Sequence, residues 1–279
     1  VKGDTIIGLS WKAPFLHFDH IYTYTETTTK RYYRRFSDFL HRFDNALVIP
    51  CTQRGMILAN RFRDRHRTLT EPNFMYLRDF DKLRLRERQP SLASFMPPYF
   101  STIDSLMPLP SLAKPRLGHS SEGHVLLRTP IDGLPFTRTH FAEPLLPDVR
   151  EEYSLTITSR CGKRSWSCIR RVHQSEGRTI VASRLLSKGP ATFALEVATR
   201  ACVDVILNIQ FAWMDNYGVI YDLNPRFGYG ELFRLCFGFN FVSEWLGLPS
   251  ETLYDFDQLD ENEAWARIMA ASGQAASTS

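Results

Sequence analysis

The stretch that most restricts the fold is residues 205–231, VILNIQFAWMDNYGVIYDLNPRFGYGE. Two runs rich in β-branched and aromatic residues flank a polar turn at Asp215, Asn216, Tyr217 and Gly218, the pattern of a β-hairpin. The second run ends Asp-Leu-Asn-Pro-Arg, and strand alternation places Asp222, Asn224 and Arg226 on one face with Leu223 and Pro225 on the other. Successive members of the polar set stand roughly 7 Å apart. Gln210, on the partner strand, joins that face if the strands pair in register. One carboxylate with neutral amide oxygens is hard-cation chemistry, with water and a phosphate filling the remaining positions. An arginine alongside suits bidentate contact with phosphate. The plain alternative is a surface hairpin whose polar face meets water. Ile206, Leu207, Phe211, Trp213, Ile220, Tyr221 and Phe227 weigh against it, because polar groups set among apolar ones need partners.

Upstream, residues 5–9 and 21–25 read as short strands and 46–50 as a buried one. Amphipathic helices are predicted over 30–45, through Tyr33, Phe36, Phe39, Leu40 and Phe43, and over 53–66. This alternation predicts a small parallel sheet. Helical spacing continues from Leu77 through Phe80, Leu83 and Leu85, with Asp81 and Lys82 inside it. The proline-containing stretch 90–110 is a connector, extended or turned.

Strands at 112–115 and 124–128 flank a loop holding Gly118, Ser120, Ser121 and Gly123. Such a loop either closes its backbone donors and hydroxyls over phosphate oxygens or merely turns a hairpin. Lys114, on the first strand, favours the former by adding a fixed positive charge. No G-K-[ST] follows, so this is not a P-loop. A strand over 136–142 leads into Glu143, Pro144, Leu145 and Leu146. Residues 151–158 and 164–172 form a hairpin about Cys161-Gly162-Lys163, and alternation lets only one of Arg170 and Arg171 face inward. A helix over 190–204 carries the buried stripe Phe193, Leu195, Val197, Ala198, Ala201 and Cys202. Residues 232–246 are expected to pack as a helix beneath the hairpin, and the small polar end 273–279 to be disordered.

Composition narrows the class. A chain of 279 residues, 43% hydrophobic, is long enough for two or three subdomains. A net charge of +4 is too small to imply nucleic acid by itself. The arginine clusters at 61–67 and 84–88 read as solvated helix faces, with a phosphate or nucleic-acid contact as the alternative; they lack interleaved aromatics for stacking bases. No apolar run approaches the roughly 20 residues that cross a bilayer. Five cysteines (Cys51, Cys161, Cys168, Cys202, Cys236), with no C-x-x-C, read as reduced thiols of a cytoplasmic protein. His119 and His124 lack metal partners at suitable spacing and take loop and strand-edge roles. The start at Val1 reads as a trimmed N-terminus.

Taken in order, Asp81-Lys82, Lys114-Pro115 with its Gly/Ser loop, Glu143 before an apolar hinge, Glu152-Tyr153, Gln210, and Asp222-x-Asn224-Pro225-Arg226 with Gly228 and Gly230 resemble the ATP-grasp family over residues 81–230. Asp222 stands where that family usually has Glu, Arg150 where it has Gly, and Pro144 removes a backbone donor from the hinge. The resemblance implies an α/β and α+β fold. Its parts would be a truncated N-terminal parallel α/β (pre-ATP-grasp) domain at 1–78 and a linker helix and lid at 79–146. A C-terminal subdomain at 147–255 and a tail at 256–279 complete it.

It further implies ATP between lid and C-terminal subdomain. Lys82, Lys114, Gly118, Ser120, Ser121 and Gly123 would meet the phosphates, Glu143, Leu145 and Leu146 the adenine, and Glu152 the ribose. Mg2+ would sit on Gln210, Asp222 and Asn224, with Arg226 and Lys114 as catalytic cations. The implied reaction is carboxylate–amine ligation: a carboxylate attacks the terminal phosphate to give an acylphosphate and ADP, and an amine then displaces phosphate. Overall the sequence is most similar to the carbamoyl-phosphate-synthase-like branch. Charge neutralisation and positioning supply such a rate without a nucleophilic side chain. Small-molecule carboxylate and amine substrates are the implied partners, with no membrane or nucleic acid and with a homo-oligomer left open. The competing class is a non-catalytic nucleotide-binding or scaffold protein that keeps the fold, favoured by Gln210 in place of a second acid.

Overall fold

The computed structural model describes residues 7–10, 20–23, 38, 47–50, 52–64, 67–101, 107–118, 123–129, 139–146, 151–175, 178–185, 187–228, 230–231, 234 and 241. The helix expected over 30–45 falls almost wholly outside them. So do Ser120, Ser121, His119, Cys51, Cys236, most of 232–246 and the tail.

Two parallel strand pairs lie at the N-terminal end: β1 (Ile7–Ser10) with β2 (His20–Thr23), and β3 (Leu47–Val48) with β4 (Arg67–Thr68). Between β3 and β4 runs α1 (Gln53–Arg61), the helix its periodicity predicts after the 46–50 strand, whereas β4 is a strand that the sequence did not suggest. Thr52 caps it by accepting the Gly55 N–H at 3.0 Å, and Met56, Ile57, Leu58 and Ala59 face the core. The helix ends at Arg61 rather than 66, because the arginine-rich run turns into β4 and Arg63 donates to the Thr70 carbonyl at 2.7 Å. Those arginines therefore do not form the helical face that their spacing suggests.

Asp81 breaks the helix expected through Leu77 and Leu85. A 3-10 turn (Leu77–Phe80) precedes it, and its carboxylate then caps α2 (Lys82–Glu87) by accepting the Leu83 N–H at 3.0 Å. Arg116, from the lid, donates to the same carboxylate at 2.6 Å. The connector that follows is partly helical, with a 3-10 segment at Pro90–Phe95 that buries Leu92.

The stretch expected to form the lid holds a three-stranded antiparallel sheet, β5 (Ser111–Pro115) between β6 (Val125–Leu127) and β7 (His140–Pro144). Its small core is Met107, Ala113, Leu127 and Ala142, with Phe100 and Val125 against it. The larger sheet is antiparallel in the order β10 (Arg178–Arg184), β9 (Lys163–Ser175), β8 (Glu151–Arg160), β11 (Ile206–Met214), β12 (Tyr217–Asn224). β10 is an element that the sequence reading lacked. Cys161 (φ 50°) and Gly162 (φ 77°) turn β8 into β9, and Asp215 and Asn216 turn β11 into β12.

One face of this sheet is apolar, through Tyr153, Leu155, Ile157, Leu207, Ile209, Phe211, Ile220 and Leu223. Across it lies α3 (Lys188–Arg200), which buries Phe193, Ala194, Val197 and Ala198, while Leu195 and Cys202, expected in the same stripe, are exposed. The helix stops at Arg200, short of the predicted 204, where Gln89 holds the backbone of Cys202. Gly218 lets the helix close in: a Cβ there would lie 2.5 Å from the Phe193 ring. The opposite face is polar and carries Glu152, Ser154, Thr156, Arg171, Asn208, Gln210, Asp222 and Asn224. Among the described residues no helix is long and apolar enough to cross a membrane.

Candidate active site

The polar face owes its composition to a β-bulge. Gln210 pairs with Asp222, but the next residue, Phe211, pairs with Ile220, so Tyr221 is one residue too many for its partner strand. Ile220 and Leu223, three apart, can then both enter the apolar core, while Tyr221 and Asp222 both emerge on the other side. Simple alternation from the turn would have sent Asp222 inward. Cross-strand rows result: Asn224, Asn208 and Thr156 in one, Asp222, Gln210 and Ser154 in the next.

Cations converge on this edge from separate parts of the chain. Lys82, at the start of α2, places its ammonium 3.5 Å from Asp222 Oδ1, and Asn224 Nδ2 donates to Asp222 Oδ2 at 2.7 Å. Lys114 crosses from the lid: it pairs with buried Glu143 and donates to the Tyr221 carbonyl at 3.1 Å. That lysine and the Asp222–Asn224 edge, over a hundred residues apart, therefore meet. Burial alone would raise the Asp222 carboxyl, but Lys82, the Asn224 amide, Lys114 and Arg226 outweigh it and hold the group below its ordinary value. His124, just before β6, feels the same field. Burial first, then Lys82 and Lys114, bring its pKa down to about 4 against the pull of Asp222, so the ring is neutral at pH 7. The structure thus adds His124 to the site, beyond the strand-edge role read from the sequence.

Glu143 serves two cations, since Arg86 also donates to it and to the Pro97 carbonyl while lying over the Tyr99 ring. Arg86 belongs to one of the two arginine clusters, and Arg88, 4.8 Å from the Phe74 ring centre, to the same one. Arg86 is drawn into packing, whereas Arg84 and Arg88 stay exposed, the solvated face that the sequence suggests for this run.

Beside the cation cluster lies a second polar network. Arg171 is the inward member of its pair. Its Nη1 donates to Glu152 Oε2 (3.2 Å), Gln210 Oε1 (3.1 Å) and Tyr221 Oη (2.7 Å), and its Nε to Thr179 Oγ1 (3.0 Å). Arg170 faces out to Glu151 at 3.1 Å. Tyr221 and Gln174 also donate to Glu152 Oε2, each at 2.6 Å, so the oxygen expected to meet a ribose already accepts three protein donors. Deeper on this face sits Arg234, with no exposed surface; it donates to the Ser154 carbonyl at 2.5 Å and to Glu231 at 2.8 Å. Thr156 Oγ1 donates to the same Glu231 oxygen at 2.6 Å. Sequence reasoning passed over Arg234, although a lone charge in Leu-Phe-Arg-Leu-Cys-Phe is itself a signal of a buried, partnered group.

The remaining expected positions divide. Gly118 follows β5, and Gly123 (φ 74°) takes the left-handed region while its carbonyl lies 3.1 Å from His140 Nε2. Leu145 is exposed, but its N–H donates to the Pro110 carbonyl at 3.0 Å, which removes it as a donor to a base; Leu146 follows, half-buried. Arg226 donates to the Phe227 carbonyl at 2.9 Å from within the field of Asp222. Among the described residues no three His, Cys, Asp or Glu side chains cluster. Asp222, Asn224 and Gln210 nevertheless fit Mg2+, which takes few protein oxygens and completes its shell with water and phosphate. Gln210 Oε1, though it accepts from Arg171, has a second lone pair. The cavity bounded by Lys82, Arg86, Phe141, Glu143 and Asp222 is about 20 Å³, room for a water rather than a purine.

A strand lid closing through one lysine onto a five-stranded sheet, over an Asp-Asn edge, defines an ATP-grasp fold, and the chain has that fold. The N5-carboxyaminoimidazole ribonucleotide synthetase of Thermus thermophilus matches it with a TM-score of 0.60 at 20% identity, over 83% of this chain and 68% of that one. The biotin carboxylase domain of the Hydrogenobacter thermophilus 2-oxoglutarate carboxylase, solved with MgADP, ADP and bicarbonate, matches at 0.62 and 12%, over 83% and 60%. The N5-carboxyaminoimidazole synthetase of Staphylococcus aureus, solved also with ADP, matches at 0.56 and 13%; this chain covers 61% of its length with 77% of its own. At such identities the likeness extends to the fold. No protein-family model matches the chain, and no curated sequence does.

Proposed function

We propose that this chain binds ATP with Mg2+ between its lid and C-terminal subdomain and catalyses ATP-dependent joining of a carboxylate to an amine through an acylphosphate. One observation carries the reading: Lys82, Lys114 and Arg226, from three regions of the chain, share one electrostatic field with Asp222 and Asn224. A triphosphate is the anion that such a cluster suits, with lysines as point charges on its oxygens and Arg226 at the transferred phosphoryl group. Asp222 and Asn224, with Gln210 as third donor, would hold Mg2+, which supplies charge neutralisation at the phosphates. Gly118, Ser120, Ser121 and Gly123 would close over the phosphates, Glu143, Leu145 and Leu146 border the base, and Glu152 reach the ribose through the Tyr221–Arg171 network. With Leu145 N–H engaged, recognition of the base rests on other backbone groups of the hinge. ADP in the S. aureus structure and MgADP in the H. thermophilus one support the nucleotide assignment. Free thiols at Cys161, Cys168 and Cys202 suit the cytoplasm.

The test measures ATP binding with and without Mg2+, then ADP release across a panel of amino acids, dipeptides and small carboxylates. Mg-dependent binding that Lys114→Met and Asp222→Asn each weaken, with ADP release stimulated by an acid and amine pair, is the expected result. A second reading, a non-catalytic nucleotide-binding protein, is favoured by one feature: Gln210, where a second acid would strengthen the metal site, is tied to Arg171. Intact nucleotide binding with no turnover on any pair would select it.

A further inference from the structure

On the far side of β12 from the phosphate site lies a second, larger cavity of about 320 Å³. Leu223 and Pro225, which alternate with Asp222 and Asn224, form part of its floor with Phe74, Leu85 and Leu207. The volume lies in the range of sites for small organic ligands, roughly 300–1,000 Å³. Above the apolar floor, Glu71, Asn73, Arg88, Gln89 and Asp204 supply polar side chains.

Those rim groups are fixed before any ligand arrives. Gln89 is buried and uses both ends of its amide on one residue: it donates to the Cys202 carbonyl at 2.6 Å and accepts the Cys202 N–H at 2.8 Å. The wall formed by Cys202 and Asp204 is thereby pinned to the end of α2. Arg88, also at the rim, is held over Phe74. Glu71 is 7% exposed and lines the cavity, while its Oε1 accepts the N–H groups of Val205 (2.8 Å) and Ile206 (2.7 Å). Anchoring two amides needs only a neutral acceptor, which glutamine would supply without a buried charge. Burial, with Asp204 adding to it, lifts the Glu71 carboxyl to about 7 against the two amides and Arg63. Glu71 and Asp204 thus place two acidic side chains on the same stretch of the cavity wall.

We propose that this cavity is a second small-molecule site, specific for a zwitterion with an apolar body: an α-amino acid with a hydrocarbon side chain. Its ammonium group faces Glu71 and Asp204, its carboxylate faces Arg88, and its side chain lies on the floor. The site goes beyond the ATP reading and does not depend on it.

Cys202, exposed at the rim, reports occupancy, and Cys161, exposed at the β8–β9 turn and not part of the cavity lining, is the internal control. The full chain, without nucleotide, is alkylated with N-ethylmaleimide in the presence of L-leucine or L-phenylalanine, and each thiol is followed by peptide mass mapping. At ten times Kd the amino acid slows Cys202 labelling about tenfold and leaves Cys161 unchanged. Isoamylamine and 4-methylpentanoate, each carrying half of the zwitterion, protect more weakly. Glu71→Gln, which keeps the acceptor for Val205 and Ile206, weakens protection by leucine about ten- to hundredfold. Labelling of Cys202 at an unchanged rate with both amino acids overturns the proposal. So does protection by isoamylamine equal to that by leucine, or undiminished leucine binding in Glu71→Gln. Because nucleotide is absent throughout, failure of the ATP reading leaves these outcomes untouched.

Discussion

Glu71 and Arg234 show how differently a buried charge can be accommodated. Arg234 is surrounded by acceptors, so removing it strands Glu231, whose carboxyl burial already pushes up against the pull of that arginine. Arg234→Met is expected to lower the unfolding free energy by about 3–5 kcal/mol, and adding Glu231→Gln to recover part of the loss, both read by urea denaturation. Glu71 makes a pH prediction whose sign is set by its raised pKa. The folded chain binds this proton more tightly than the unfolded chain, so the associated stability is full below about 4.5 and is lost as pH rises to about 7. The loss amounts to about 3 kcal/mol, and the stability curve of Glu71→Gln should lack it, as urea titrations across that window would show. Such residues are hard to find in a sequence because their partners lie on strands far away in the chain: Arg234 with Ser154, Arg171 with Glu152 and Gln210. Lys82, Lys114, Asp222 and Asn224 were legible because their order and spacing within short motifs survive without the fold.

Elements were legible where periodicity is unbroken, as in α1, α3, the lid strands and the β11–β12 hairpin. Their ends were not, since Asp81, Arg61 and Arg200 stop helices through caps and tertiary contacts that leave the apolar period intact. Nor was the bulge at Tyr221, which shows only as a three-residue step from Ile220 to Leu223. Its consequence is testable. Deleting Tyr221 restores alternation and turns Asp222 toward the core, so the variant should lose Mg-dependent nucleotide binding and melt lower. Tyr221→Phe, which keeps the extra residue and gives up only the hydroxyl's contacts with Glu152 and Arg171, should weaken binding far less than the deletion, and fluorescence titration with thermal melts separates the two. Gly218→Ala probes the other face: its methyl would press on Phe193, and destabilisation of about 1–3 kcal/mol is expected in the same melts.

At the scale of the whole molecule, the motif order conveyed a small strand sheet followed by a larger C-terminal one, the ATP-grasp fold. No spacing in the sequence, however, records how far the lid stands open. In the structure it is shut, because Lys114 reaches across to the Tyr221 carbonyl while Glu143 holds both Lys114 and Arg86. The cavity left between Lys82, Arg86, Glu143 and Asp222 is about 20 Å³. If ATP binds here as proposed, it must therefore follow lid opening, and a gate of this kind fixes the kinetics. In stopped-flow mixing, the observed association rate should climb with ATP concentration and then level off at the opening rate. Glu143→Gln removes the charge that holds the two cations, so the level should rise while the unliganded chain becomes less stable. A rate that stays proportional to ATP throughout, with an ordinary second-order constant of about 10⁵–10⁷ M⁻¹s⁻¹, would mean that the lid stands open in solution and that the Lys114 bridge is not the barrier.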